Sequence, residues 1–133
     1  MNAVFADTFY FLALLDERDS GHISAVAASR IRRPIVTTEF ILLEVADGCA
    51  RAEDHDDFLA LLEGMRNNPR FTIVPLSSAL LQQGIEHFAR HKDKDWSLTD
   101  CISFVVMKEQ GILEALTADR NFEQAGFKVL LRE

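Results

Sequence analysis

In the stretch WSLTDCISFVVMKEQGILEALTADRNF, residues 96–122, a polar start leads into an apolar helix, a glycine follows it, and a short β-prone run ends beside an acid. Ser97 and Asp100 stand in the S-x-x-D relation of a capping box, which predicts a helix from Leu98 to about Gln110. Gly111 is its expected C-terminal stop and EALT the strand that follows. Asp119 closes that strand and opens a short helix over DRNFEQAG. Whether the rest of the chain repeats this alternation decides the fold.

It does. AVFAD reads as a short buried strand ending at Asp7, and TFYFLALLDE as the helix after it. HISAVAASRIRR is predicted helical up to Pro34, and IVTT supplies a second β-branched run before the helix EFILLEVADGCA. A third unit sets the helix EDHDDFLALLEGMRNN before Pro69 and the strand FTIV after it. SSALLQQGIEHFARHK is an amphipathic helix, DKDW a loop, and KVLL a last strand beyond Gly126. This order predicts an α/β fold with a central, mainly parallel sheet. No internal repeat, low-complexity tract or linker interrupts it, so residues 1–133 are read as a single domain, in keeping with 48% hydrophobic and 26% charged residues.

Composition narrows the function. Cys49 and Cys101 give neither a disulfide framework nor a zinc spacing, and are expected to be buried small hydrophobes. The run FYFLALL is too short to span a bilayer and lacks a basic leader, so no membrane association and a cytoplasmic location are expected. A formal charge of −7 opposes a chain that grips nucleic acid through its overall field. Two local cation clusters exist, Arg30, Arg32 and Arg33 after one helix and Arg90, His91, Lys92 and Lys94 after another. A helix C-terminus favours cations without any ligand, and that reading is preferred for both. His87 and His91 share the i, i+4 spacing of a zinc pair, but with no third ligand evident they are read as solvated helix residues.

The acids carry more. Asp7 and Asp119 each end a predicted strand, where the ligands of open parallel sheets collect. Asp100 stands at a helix start. Glu44 lies two turns into an otherwise apolar helix, on a polar stripe with Asp47, Gly48 and Arg51. Each has a plain alternative: a helix cap for Asp7, Asp100 and Asp119, and a solvated face with an Asp47–Arg51 pair for Glu44. Their conjunction favours a shared site. Carboxylates a few ångströms apart repel by about 4 kcal/mol per pair at an effective dielectric near 20, and a hard divalent cation is the natural compensator. Such an ion also activates water and polarises a phosphoryl group, which allows hydrolysis without a catalytic histidine.

Over FADTFYFLALLD, TTEFILLEVAD and DKDWSLTDCISFVVMKEQGILEALTADRNFEQAGF the chain resembles the PIN-domain ribonucleases, specifically the VapC-like toxins of bacterial toxin–antitoxin pairs. The resemblance runs nearly end to end, and the last segment is its most specific part. It implies an α/β/α sandwich and a Mg²⁺- or Mn²⁺-dependent endoribonuclease whose catalytic and metal-binding acids fall on Asp7, Glu44, Asp100 and Asp119. Thr8 and Thr99 match small hydroxyl positions beside those acids. Some members carry another acid where this chain has Asn121, which offers an amide oxygen to a ligand or a cap to the short helix. An RNA substrate, a homodimer and a small antitoxin are also implied. The antitoxin is expected to lay an apolar segment on the domain and direct an arginine or lysine at the acids. The competing expectation is a PIN-like module that binds RNA or protein without cutting.

Overall fold

The computed structural model describes residues 2–132. Five strands form one sheet in the order β3-β2-β1-β4-β5, with every neighbouring pair parallel. They are β1 (Val4–Ala6), β2 (Ile35–Thr38), β3 (Phe71–Val74), β4 (Glu114–Leu116) and β5 (Lys128–Val129). β1 and β2 are buried along their whole length, which is why they read as unbroken apolar or β-branched runs. Phe5 pairs with Val36 on one side and Ala115 on the other, so β1 is the central strand.

Among the described residues seven α-helices connect them: α1 (Thr8–Leu15), α2 (His22–Ser29), α3 (Glu39–Gly48), α4 (His55–Arg66), α5 (Ser78–Arg90), α6 (Leu98–Gln110) and α7 (Arg120–Gln124). α1 packs on α2 and α3, and α3 on α4; α6 packs on α5 and α7. These groups are the two outer layers of an α/β/α sandwich. The chain runs from β1 outward through β2 to β3, then crosses back to β4 on the far side of β1. Right-handed crossovers therefore send the two sets of helices to opposite faces. The reversal creates a switch point between β1 and β4, outside whose carboxyl ends a cleft must open.

Local chemistry sets the helix ends. Thr38 caps α3 by accepting from the Ile41 N–H, and Ser77 caps α5 by accepting from Leu80. α6 carries the predicted capping box, and Gly111 ends it at φ 66°, a left-handed conformation that costs a residue without Cβ little. Both cysteines are free and buried, as expected.

Several boundaries differ from the sequence reading. α2 stops at Ser29 and not at Arg33, because the approach to Pro34 disfavours helical geometry. The helix expected from Glu53 is split into a 3₁₀ turn, Ala52–Asp54, and α4. β5 pairs over two residues, not four. β4 ends at Leu116, so Asp119 lies beyond the strand and caps α7.

α5 and α6 meet closely at Gly84, where an added Cβ would overlap Cγ1 of buried Ile102. Overpacking costs roughly 1–3 kcal/mol, against about 1 kcal/mol gained by alanine over glycine in a helix. Gly84→Ala should therefore lower the unfolding midpoint, and should cost less in an Ile102→Ala background than in the wild type. Equal costs in the two backgrounds would show that the helices move apart freely.

Candidate active site

Asp7 follows β1 directly and is the N-cap residue of α1, yet its side chain makes no capping hydrogen bond. Its Oδ2 instead accepts from the Thr117 hydroxyl at 2.9 Å, and the residue is only 7% exposed. Burial pushes its pKa from the ordinary 3.8 to about 7; the Thr117 hydroxyl and Thr8 N–H oppose the rise, while the charges of Asp100 and Glu44 add to it. A carboxylate that caps no helix and sits where its charge is disfavoured has a cause other than local structure.

Glu44 projects from α3 and accepts from the Thr8 hydroxyl at 2.5 Å, so α1 and α3 are joined at the site. The solvated-stripe alternative holds in part: Asp47, Gly48 and Arg51 are exposed and Glu44 is half-buried, but the expected ion pair is absent. Arg51 pairs with Glu53 and Asp54 and not with Asp47, and Gly48 lies against Leu12.

Asp100 and Asp119 both cap and face the cleft. The Asp100 N–H donates to the Ser97 hydroxyl at 3.0 Å, and its Oδ2 accepts from the Ser97 N–H at 3.2 Å. The same Oδ2 accepts from Nδ2 of Asn121 at 3.0 Å. Burial is the main cause of a raised Asp100 pKa, with the charge of Asp119 adding and the Asn121 and Ser97 hydrogen bonds opposing. Asp119 Oδ1 accepts from the Asn121 N–H at 2.9 Å, and its own N–H donates to the Thr117 hydroxyl at 3.1 Å.

These side chains line one cavity of about 520 Å³, together with Thr8, Asn121 and a fifth acid, Asp95. No lysine or arginine lines it. Thr99 is half-buried in the first turn of α6 and is not part of the wall, so a direct contact with substrate is not supported for it. Thr117 went unrecognised in the sequence; its signal was a hydroxyl at the end of a buried strand, two residues before Asp119. Asp95 was read only as loop. Its carbonyl accepts from Nδ2 of Asn121, which ties that loop to α7. His87 is buried, not solvated, and stacks on Trp96 at 5.9 Å, with His91 beside it.

A family model for the PIN domain matches residues 4–128. The chain belongs to the PIN-domain family. Among PIN-domain relatives it is 29% identical over 125 residues to the 23S rRNA-specific endonuclease VapC20 of Mycobacterium tuberculosis, covering 93% of this chain and 95% of that protein. The crystal structure of VapC20, described as a sarcin-ricin loop cleaving toxin, matches with a TM-score of 0.80 at 28% identity, over 93% of this chain and 95% of that one. FitAcB of Neisseria gonorrhoeae matches at 0.64 and 19% identity, over 96% of each chain, and shares the fold. So does VapBC2 of Rickettsia felis, solved with a promoter DNA fragment, at 0.67 and 11% identity over 96% of each chain.

Among the described residues no three His, Cys, Asp or Glu side chains are grouped so that they could together hold a metal ion. The donor set nonetheless fits a hard cation, because all its charged members are carboxylates and burial leaves Asp7 short of a counter-charge. Between about pH 4 and pH 7 folded Asp7 keeps a proton that the unfolded chain has released, so stability falls as the pH rises through this window. Above pH 7 the full cost is present, roughly 4 kcal/mol at most. In chelator-treated buffer at pH 8, Asp7→Asn is expected to melt several degrees above wild type, and at pH 4 the two should nearly coincide. A variant less stable than wild type at pH 8 would show that the charge carries no penalty.

Proposed function

We propose that this PIN-domain protein is a divalent-metal-dependent endoribonuclease that hydrolyses RNA phosphodiester bonds as the toxin of a toxin–antitoxin pair. The observation that carries the reading is the meeting of Asp7, Glu44, Asp100 and Asp119 in one cavity lined by no cation. The rRNA-specific activity named for the 29% identical relative supports RNA as the substrate class.

Mg²⁺ or Mn²⁺ would be held by these four acids, and when bound would supply Lewis-acid polarisation of the phosphodiester, a water of lowered pKa and stabilisation of the leaving oxygen. The rest belongs to the chain. The Thr117 hydroxyl fixes the Asp7 carboxyl, the Thr8 hydroxyl fixes Glu44, and Asn121 with the Ser97 N–H fixes Asp100. Asn121 thus acts through its amide nitrogen in this arrangement, as an orienting residue beside the acids. The proton that Asp7 holds near neutrality must leave before its carboxylate takes a cation, so affinity should rise with pH through 7.

A small antitoxin is proposed as the partner. An arginine of such a peptide would meet the acidic cavity, and half-buried Phe9 and Ala118 supply apolar surface in its wall. Homodimerisation is proposed on the exposed apolar residues Leu81, Ile85 and Phe88, which recur at i, i+4 and i+7 along α5. Among the described residues no helix is long and apolar enough to cross a membrane, and a cytoplasmic location is proposed.

Asp100→Asn separates capping from catalysis, since the amide keeps an acceptor for the Ser97 N–H but loses the charge. RNA cleavage with Mn²⁺ should fall by at least 100-fold, the order expected for losing an acid that holds the ion. The melting temperature without metal should change little, while its rise on adding Mn²⁺ should shrink. Wild-type cleavage by the variant would reduce Asp100 to a helix cap. Wild-type protein that binds RNA with Mn²⁺ but never cuts it would instead favour the binding-module reading.

A further inference from the structure

The acidic cavity creates a problem for an RNA enzyme: it contributes no positive charge to hold a polyanion, and the whole chain is at −7. Affinity must come from elsewhere on the surface. Of the two cation clusters in the sequence, the second has Arg90 in the last turn of α5, where the macrodipole favours it, and Lys94 beside Asp93 at 3.7 Å. In the first, the same helix-end effect covers Arg30, the C-cap residue of α2. α2 ends at Ser29 with no basic residue in its last turn, so Arg32 and Arg33 lie outside the helix whose end was expected to account for them.

What the first cluster does build is a hollow of about 630 Å³ walled by Arg32, Arg33, Pro34, Pro69 and Arg70, with no acid among its lining residues. Two of its guanidiniums are fixed from behind. Arg70 donates to the Arg33 and Ser29 carbonyls at 3.3 and 3.4 Å, and Arg33 donates to the Asn2 carbonyl at 2.9 Å while pairing with Glu114 at 2.5 Å. The carbonyl contacts hold Arg70 without neutralising it, whereas the charge of Arg33 is met by Glu114. Arg32 and nearby Arg30 are exposed. Pro34 and Arg70 directly precede β2 and β3, so the hollow opens at the amino ends of the strands, opposite the acids. Since β2 alone spans roughly 13 Å, the two sites can be bridged only by a ligand longer than that.

We infer that this arginine hollow is an RNA exosite, which grips the phosphate backbone of a long or folded substrate while the acidic cavity receives the scissile bond. The choice of RNA over other phosphate polyanions rests on the endoribonuclease reading; the anion specificity rests on the hollow itself. Charge supplied at a distance reconciles binding with an active site that must stay free of cations to take a metal. It also predicts a preference for structured over short RNA, because only the former reaches both ends of the sheet.

The test uses Arg30→Gln/Arg32→Gln, two exposed changes that leave Arg33 and Arg70 in place, and a charge-matched control, Arg18→Gln/Arg51→Gln, on exposed side chains elsewhere. Binding of a labelled RNA hairpin is measured by anisotropy in EDTA across a salt series, and cleavage of the hairpin and of a fluorogenic trinucleotide is measured with Mn²⁺. The exosite variant should bind the hairpin about tenfold more weakly near 150 mM salt, with a salt slope shallower by roughly 1 to 2. Its KM for the hairpin should rise by a similar factor at unchanged kcat, with trinucleotide cleavage unaltered, while the control should match wild type. Equal hairpin affinity and salt slope in the exosite variant and wild type would overturn the proposal. So would an equal loss in the control, which would assign the effect to net charge. A melting-temperature rise with inorganic phosphate or ATP that the variant loses, without any change in hairpin binding, would make the hollow a small-anion site and also overturn it. Binding is read in EDTA, so RNA that binds through the hollow but is never cut would sink the nuclease reading and leave the exosite standing.

Discussion

The pairing of β1 with β4, Phe5 against Ala115 and Ala6 against Leu116, is the contact on which the site depends. These strands lie far apart in sequence, and they become neighbours only because the chain crosses back over the sheet after β3. That crossing places the residues just beyond Ala6 and Leu116 side by side. The buried Thr117 hydroxyl then joins them, donating to Asp7 and accepting from the Asp119 N–H. Two acids are thereby held in register by a single side chain. α3 and α6 bring Glu44 and Asp100 to the same cleft through Thr8 and Asn121.

Gathering carboxylates in this way carries a penalty, and Asp7 shows it most. Its burial gives it a proton affinity near neutrality, which signals a charge waiting for a partner. Asp100 shifts in the same direction for the same reason, partly relieved by its capping bonds. The hydroxyl and amide donors around the cavity orient these groups but cannot neutralise them. A divalent cation can, and the basic tip of an inhibiting peptide is the other chemistry that would.

Much of this was legible before the fold was known. Apolar runs bounded by Pro34, Pro69 and Gly111 marked the strands and helices, because buried parallel strands and capped helices leave strong local signals. Asp7, Glu44, Asp100 and Asp119 stood out because charge is unusual beside segments that must be buried. Thr117 did not, since a hydroxyl at a strand end has many ordinary uses and its partner is 110 residues away. The surroundings of Arg32 and Arg33 were hidden for a related reason. They depend on where α2 ends and on Arg70, which only the sheet brings near. His87 was taken as solvated because helical spacing does not reveal that Trp96 folds back over it.

Asp7, Glu44, Asp100 and Asp119 are proposed to form one divalent-cation site. A crystal structure of the protein with Mn²⁺, using the anomalous signal of the ion, tests it most directly. The expected result is a peak in the cleft beyond β1 and β4, ligated by two or more of the Asp7, Glu44, Asp100 and Asp119 carboxylates, with Thr117 still bonded to Asp7. A peak elsewhere, with these carboxylates unchanged and unoccupied at saturating Mn²⁺, would contradict it.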